Sequence, residues 1–319
     1  MQFRPAVKSP ATSGFTLVEL SIVLVIVGLV IGGVLVGRDL IRAAEIRATI
    51  SQLEKYNSAV NTFRGKYGYL PGDMPDPYAT QYGFKTRGTD CSGSACPGED
   101  DGNGIIEGAF AFGAGGNSGL AEGSGETIMV WVDLSTANLI DGGFNTATPN
   151  TYQGSISGAV LNNWLPQTKL GQGNYVYAWS GGINVVTVSD SLNYFGLSAV
   201  QQIDYGGSSR YIWSTAGLSV LQAYTIDIKM DDGFPQTGRV TAMYLGFNQG
   251  ASWAAGGGGA RSNSFGAADT SATTGSAATC YDNSASNSGT PGVAGAVQHY
   301  SLAMSNGTGI NCALSFRFQ

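Results

Sequence analysis

Histidine is almost absent from this sequence of 319 residues: there is one, His299. A zinc site built from clustered imidazoles is therefore excluded, and a Ser-His-Asp triad would have to use that single residue. Neither G-x-S-x-G nor G-x-x-x-x-G-K-[ST] occurs, so the usual signatures of serine hydrolases and P-loop nucleotide enzymes are missing too. Charge is scarce. Only 12% of residues are charged, and 16 Lys and Arg stand against 22 Asp and Glu, a formal net charge of −6. The chain as a whole lacks the basic footprint that a phosphate backbone would require, which leaves room only for a local basic patch. With no catalytic constellation in view, the expectation is a protein that is not an enzyme. Glycine, by contrast, is abundant at 48 residues, a composition suited to a loop-rich exported β or α+β protein.

Cysteine is sparse but even in number: Cys91, Cys96, Cys280 and Cys312, none of them in a C-x-x-C pair. In an exported chain this reads as two disulfides, with three possible connectivities. Pairing neighbours in sequence, Cys91 with Cys96 and Cys280 with Cys312, is the favoured arrangement. The first bridge would staple a Gly/Ser-rich turn. The second would close a long polar loop onto a C-terminal strand and would contribute more, on the order of 3–4 kcal/mol by loop closure.

Long apolar runs are confined to one place. Met1 to Gly14 is polar, with Arg4 and Lys8 its only charges, and an apolar stretch then runs from Phe15 to Gly37, broken by one acid, Glu19. As a helix it would rise about 35 Å, enough to cross the hydrocarbon core of a bilayer. The positive charges before it predict a cytoplasmic N-terminus. An ordinary signal peptide would place a small-x-small cleavage site at the far end of its apolar region. Here the distinctive residues, Ser13-Gly14-Phe15-Thr16-Leu17-Val18-Glu19-Leu20, lie at the near end.

That segment, followed by a long apolar helix, resembles the class III signal of type IV prepilins and of the pseudopilins of type II secretion. The resemblance covers about the first fifty residues. It implies cleavage after Gly14 by prepilin peptidase on the cytoplasmic face, N-methylation of Phe15, and assembly with copies of itself and other pilins or pseudopilins through an inner-membrane assembly platform. It also implies a single-pass precursor in a bacterial inner membrane with its head in the periplasm, and a surface or periplasmic filament afterwards. An unpaired carboxylate inside a membrane helix costs about 2.5–3.5 kcal/mol on insertion scales. Glu19 is therefore expected to pair with the amine of a neighbour's Phe15 and set the axial register, the alternative being that it snorkels to the interface. Gly28/Gly32 and Gly33/Gly37 form two Gly-x-x-x-Gly pairs suited to close helix approach, and they also weaken the helix enough to allow local unwinding on leaving the bilayer.

From Arg38 onward charges alternate with Ile46, Ile50, Leu53, Val60 and Phe63 at amphipathic-helix spacing. The expected organisation is a leader at 1–14, a membrane and filament-core half-helix at 15–37, an amphipathic half-helix at 38–65 and a globular head at 66–319. Gly65 and Gly68 are expected to end the helix. The fold class is α+β, a lollipop in which one long helix packs on an antiparallel β-sheet head with Gly-rich loops. Glu126–Ile140 and Leu218–Met230 read as helices. The first should bury Ile128, Val132, Leu139 and Ile140, and the second Leu218, Leu221, Tyr224 and Ile228. Asn174–Ser180, Ile183–Ser189, Arg239–Phe247 and Ala313–Phe318 read as strands. Residues 249–295 are dominated by Gly, Ala, Ser, Thr and Asn and read as an exposed loop region.

Several head segments resemble those of a group of larger pilin-like proteins. They are Tyr69-Leu70-Pro71-Gly72-Asp73, Asp101-Gly102-Asn103-Gly104-Ile105-Ile106-Glu107, the acid-plus-Trp helix with Trp131, and the element from Asp227 through Lys229, Asp231, Asp232, Gly233 and Pro235 to Gly238. No cofactor is implied with certainty. Calcium is one expectation, because Glu99, Asp101 and Asn103 alternate before Gly104 like the start of an EF-hand loop, although Phe110 stands where a bidentate acid belongs. Asp227, Asp231 and Asp232 form a second acidic group that could instead cap a helix or bond a turn through Lys229.

The functional expectation is a minor or specialised subunit of a type IV pilus-like filament, with a type II secretion pseudopilin as the alternative. An exported membrane-anchored enzyme is opposed by the missing catalytic residues. A DNA-uptake pilin would want a basic stripe with aromatics, of which Arg210-Tyr211-Ile212-Trp213 is a fragment, and no strong nucleic-acid signal is present.

Overall fold

The computed structural model describes residues 14–87, 102–112, 117–119, 123, 125–148, 155–180, 192–206, 209–246, 251–254, 278–282 and 297–318. In chain order the helices are α1 (Leu17–Tyr67), α2 (Tyr78–Gln81), α3 (Glu126–Thr136) and α4 (Val220–Met230). Strands β1 (Gly108–Phe112) and β2 (Asn117–Gly119) precede α3, and β3 (Ile156–Ser157), β4 (Asn174–Ser180), β5 (Asn193–Gly206), β6 (Ser209–Thr215) and β7 (Leu218–Ser219) lie between α3 and α4. After α4 come β8 (Val240–Thr241), β9 (Met243–Leu245), β10 (Ala251–Trp253), β11 (Tyr281–Asp282), β12 (His299–Tyr300), β13 (Ile310–Cys312) and β14 (Leu314–Arg317). This is an α+β chain, a long N-terminal helix followed by an antiparallel β-sheet head. It divides into two units, Met1–Glu45 and Ile46–Gln319.

In the second unit the sheet is organised around β5. The first half of β5 pairs with β4 along one edge and β14 along the other, and its second half pairs with β3 and β6, all antiparallel. A register shift between Val200 and Gln202 marks the change of partner. β8 extends the sheet beyond β14. Every residue of β4 is buried, because α3 covers that part of the sheet. The last turns of α1 supply Leu53, Tyr56, Val60 and Phe63 to the same core, with Tyr56 set edge-on to Trp131 of α3 at 5.1 Å between ring centroids. Burying such side chains stabilises by about 1.5–3 kcal/mol each before entropy is counted. Gly196 faces Tyr177 across the β4–β5 pair, and a Cβ there would lie 2.1 Å from the tyrosine ring, so only glycine fits.

Several expectations need correction. Gly65 lies inside α1 and does not end it. The terminator is Gly68, whose φ of +83° takes the left-handed position while its N–H donates to Arg64 O at 2.8 Å. α3 stops at Thr136 rather than Ile140 because Asn138 adopts a positive φ, and Leu139 is only partly buried as a result. Leu218 is buried as expected but belongs to β7 rather than to a helix, and the buried stripe of α4 is shifted from the one expected: Val220, Ala223, Ile226 and Asp227 are buried and Tyr224 packs partly buried against the core, while Leu221 and Ile228 are about half exposed. Both faces of α4 carry apolar residues at helical spacing, so periodicity could not choose between them. The predicted strand Arg239–Phe247 is split at Ala242, whose N–H donates to Pro235 O and whose carbonyl accepts from Ala254 N–H. Asn174–Ser180 is found as predicted, and Ala313–Phe318 is found as Leu314–Arg317. Ile183–Ser189 falls outside the described residues, as does most of 249–295.

Candidate functional site

The first unit is a site of unusual exposure. The large apolar side chains from Phe15 to Ile41 are 46–90% exposed, and among the described residues nothing beyond the immediate chain neighbours and the helix's own backbone lies within 4 Å of a Cβ built at Gly14, Gly28, Gly32, Gly33 or Gly37. α1 is long and apolar enough to cross a membrane, and it runs unbroken through Gly28, Gly32, Gly33 and Gly37. Helices in water do not keep such a surface bare, and among the described residues nothing covers it, a pattern that fits a membrane-anchored helix.

Glu19 has a defined local role at the start of this helix. Thr16 occupies the N-cap and Glu19 the third helical position. The Glu19 N–H donates to Thr16 Oγ1 at 3.2 Å, and the Thr16 N–H donates back to Glu19 Oε2 at 2.8 Å. The Thr16 hydroxyl also donates to Glu19 Oε2 at 2.7 Å. This is a capping box, in which two otherwise orphaned amide protons are satisfied reciprocally, and the carboxylate also sits at the favourable positive end of the helix dipole. Both bonds that the Glu19 carboxylate accepts from Thr16 fall on Oε2. The sequence did carry the signal, since Thr16-Leu-Val-Glu19 has the S/T-x-x-E spacing, but the threonine was not assigned this part.

In the head, three of the recurring sequence segments meet. The Gly72 N–H donates to Asp133 Oδ2 at 2.7 Å, and Asp73 Oδ2 accepts from the Gly104 N–H at 2.8 Å. Glu126 Oε2 accepts from the Glu107 N–H at 2.8 Å, and the Glu126 N–H donates to Glu107 O. Arg87 completes the group, donating to Asp133 Oδ2 at 2.6 Å with both side chains buried. Burial pushes the Asp133 carboxyl up from its ordinary range, against the pull of the Arg87 guanidinium. In this chain these segments lock the helix-exit turn to α3. Arg87 was not picked out from the sequence, having no local pattern to mark it.

The Asp227 element is a second lock. Asp227 Oδ2 accepts from the Tyr300 hydroxyl at 2.7 Å and Oδ1 from the Gly233 N–H at 3.1 Å. Asp231 accepts from the Arg239 and Val240 N–H groups, and Asp232 from the Phe234 N–H and the Thr237 hydroxyl. Lys229 takes no part among the described hydrogen bonds. Burial, with the charges of Asp232 and Asp231, pushes Asp227 up to about 7 against the hydrogen bonds from Tyr300 and Gly233. The three carboxylates lie within 4.8 Å of one another, but their oxygens already hold the loop together. In the other candidate calcium loop, Glu99 and Asp101 are outside the described residues. Asn103 Oδ1 accepts from the Ile105 N–H at 2.7 Å, which closes a local turn.

Cys280 and Cys312 form a disulfide with Cα atoms 5.0 Å apart, tying the segment before β11 to β13. Cys91 and Cys96 lie outside the described residues.

Residues 10–35 match the family model described as the prokaryotic N-terminal methylation motif. The matched segment contains Gly14, Phe15, Thr16 and Glu19 and carries the class III signal of type IV prepilins and pseudopilins. The motif supports a protein of the pilin or pseudopilin type, points to a structural role, and with the apolar helix fits a membrane-anchored precursor. No curated protein and no solved structure matches the chain.

Proposed function

We propose that this pilin-type chain is a minor or specialised structural subunit of a type IV pilus-like surface filament. In this reading prepilin peptidase removes residues 1–14, Phe15 becomes the methylated N-terminus, and the assembly platform extracts the apolar helix from the inner membrane into a bundle of its neighbours. The exposed apolar surface from Phe15 to Ile41 carries the proposal, because it is continuous along the helix yet has no partner among the described residues. Glu19 gives the bundle its register. Its carboxylate rests in the Thr16 capping box in the single chain, and the free amine of a neighbouring Phe15 offers a charge-assisted contact that the cap cannot. A large head with a disulfide-tied C-terminal segment favours a specialised subunit over a bulk one.

The test is Glu19→Ala in the producing cell. Leader cleavage, read as the mass of the mature chain, should stay near normal while incorporation into sheared surface filaments drops at least tenfold. Normal incorporation would remove the register role. A deletion strain separates the systems: loss of surface filaments with secretion intact supports the proposal, whereas a secretion block with filaments intact assigns the chain to a type II pseudopilus.

A further inference from the structure

A groove of about 260 Å³ in the head combines an apolar floor with a cationic rim. Lys229 comes from the last turn of α4, Arg239 from the loop before β8, and Arg317 from β14. The floor includes Phe195, Phe316 and Phe318, all buried. Glu54 of α1 is the one carboxylate among the lining residues. Among the described residues the ion pairs are Lys55 with Asp141 and Arg87 with Asp133, so none of the three rim cations is paired there. On a chain of net charge −6, three cations brought together from three separate elements and making no ion pair among the described residues create a local positive field that favours an anionic partner.

The chemistry of that partner is restricted. A single-stranded nucleic acid would need exposed rings for its bases to stack on, and the groove's phenylalanines are covered. A volume of this size takes the side chains of a short segment rather than a polymer. The densest acidic run in the chain, Glu99-Asp100-Asp101, offers three carboxylates on consecutive residues, matching the three cations, and it lies outside the described residues. We propose that the Lys229/Arg239/Arg317 groove receives the Glu99–Asp101 run of a second copy of this chain, so that heads as well as helices join in the filament. This rests on the filament reading above, which brings copies side by side. Complementary rim charges govern encounter and partner choice more than raw affinity, and like charges in the same place are strongly disfavoured.

The experiment uses charge reversal on the full-length protein in detergent micelles at low salt, with self-association read by chemical crosslinking. Lys229→Glu with Arg239→Glu, both exposed positions, makes the groove variant. Glu99→Lys, Asp100→Lys and Asp101→Lys together make the run variant. Each should crosslink at least roughly tenfold less than the parent, and an equimolar mixture of the two should regain most of the loss. A groove or run variant that associates like the parent overturns the proposal. So does a mixture that stays dissociated; if the mixture fails while a chain carrying both sets recovers, the run docks within its own chain and not on a second copy. Leader cleavage of the parent, scored in the cells that supply the protein, separates the two levels: an uncleaved parent sinks the filament reading, whereas a cleaved parent with unaffected variants sinks only the groove.

Discussion

Two stretches of α1 obey the same helical geometry and meet opposite fates. Between Phe15 and Ile41 the apolar side chains are exposed, whereas Ile46, Leu53, Tyr56, Val60 and Phe63 are buried against the head. The difference lies in the sequence of each stretch. The first is apolar all round and so has no preferred side for a single partner, a pattern that suits lipid or a ring of like helices. The second confines its apolar residues to one stripe, which a single sheet-and-helix core can cover. One continuous element thus has a stretch that the head covers and a stretch that nothing among the described residues covers. Changes in the head should register as stability, and changes in the first stretch as assembly.

The sharpest way to break that division is at Arg87. Arg87→Met would leave Asp133 buried beside the Gly72 N–H without its cation, and losing one partner of a buried pair costs about 3–5 kcal/mol. Because burial already drives Asp133 toward its neutral form, the variant is expected to fold with a protonated Asp133 rather than fail outright. Thermal unfolding of the detergent-solubilised protein should show a much lower Tm for the head, while the leader is still cleaved after Gly14. A Tm equal to that of the parent would mean that the pair adds nothing to the head.

A smaller effect is expected at Gly196. With the Tyr177 ring 2.1 Å from where a Cβ would sit, Gly196→Ala must displace a ring whose hydroxyl also accepts from the Leu245 N–H and meets Ser198. Overpacking of this kind costs about 1–3 kcal/mol. Denaturant unfolding should shift its midpoint with little change in slope. Pairing the substitution with Tyr177→Phe separates the clash from the lost hydrogen bonds, because the ring stays and the hydroxyl goes.

Much of this architecture was legible in the residues. The helix with its change of character, the strand Asn174–Ser180, the C-terminal strand and the Cys280–Cys312 pairing all carry local signals. What escaped were features set by contacts distant in sequence. β5, the strand that organises the sheet, is interrupted by Gly196, Ser198, Gln201 and Gln202, so its alternation is poor; it is held by four partner strands rather than by propensity. The face of α4 was misjudged because Leu221 and Ile228 look as inward as Ala223 and Ile226 until the sheet is present. At the candidate site, Gly14, Phe15 and Glu19 stood out at once because their signal lies in consecutive residues. The rim cations at 229, 239 and 317 had no such signature.

The finest test of the comparison concerns Asp227, since it asks whether the head's stability follows a charge that the first stretch of α1 never meets. Its folded value of about 7 lies above its ordinary 3.8, so the folded head holds this proton more tightly than the unfolded chain does. Stability from this group is fully present below about 3.8 and is lost progressively as pH rises toward about 7, after which it is flat. The neighbours that face it set the size of the effect: Asp231 and Asp232 on its own loop raise it, and Tyr300 and Gly233 hold it down. Asp133 titrates upward in the same direction, so the parent's slope contains both groups. Asp227→Asn isolates one of them. The variant should lose a measurable part of the parent's Tm decline between pH 4 and pH 7, at roughly 2–4 °C for each kcal/mol removed, provided the Tyr300 hydroxyl still donates to the amide oxygen. A variant whose slope matches the parent's would show that Asp227 is ionised throughout, and the loop would then be held by a carboxylate whose hydrogen bonds outweigh its burial.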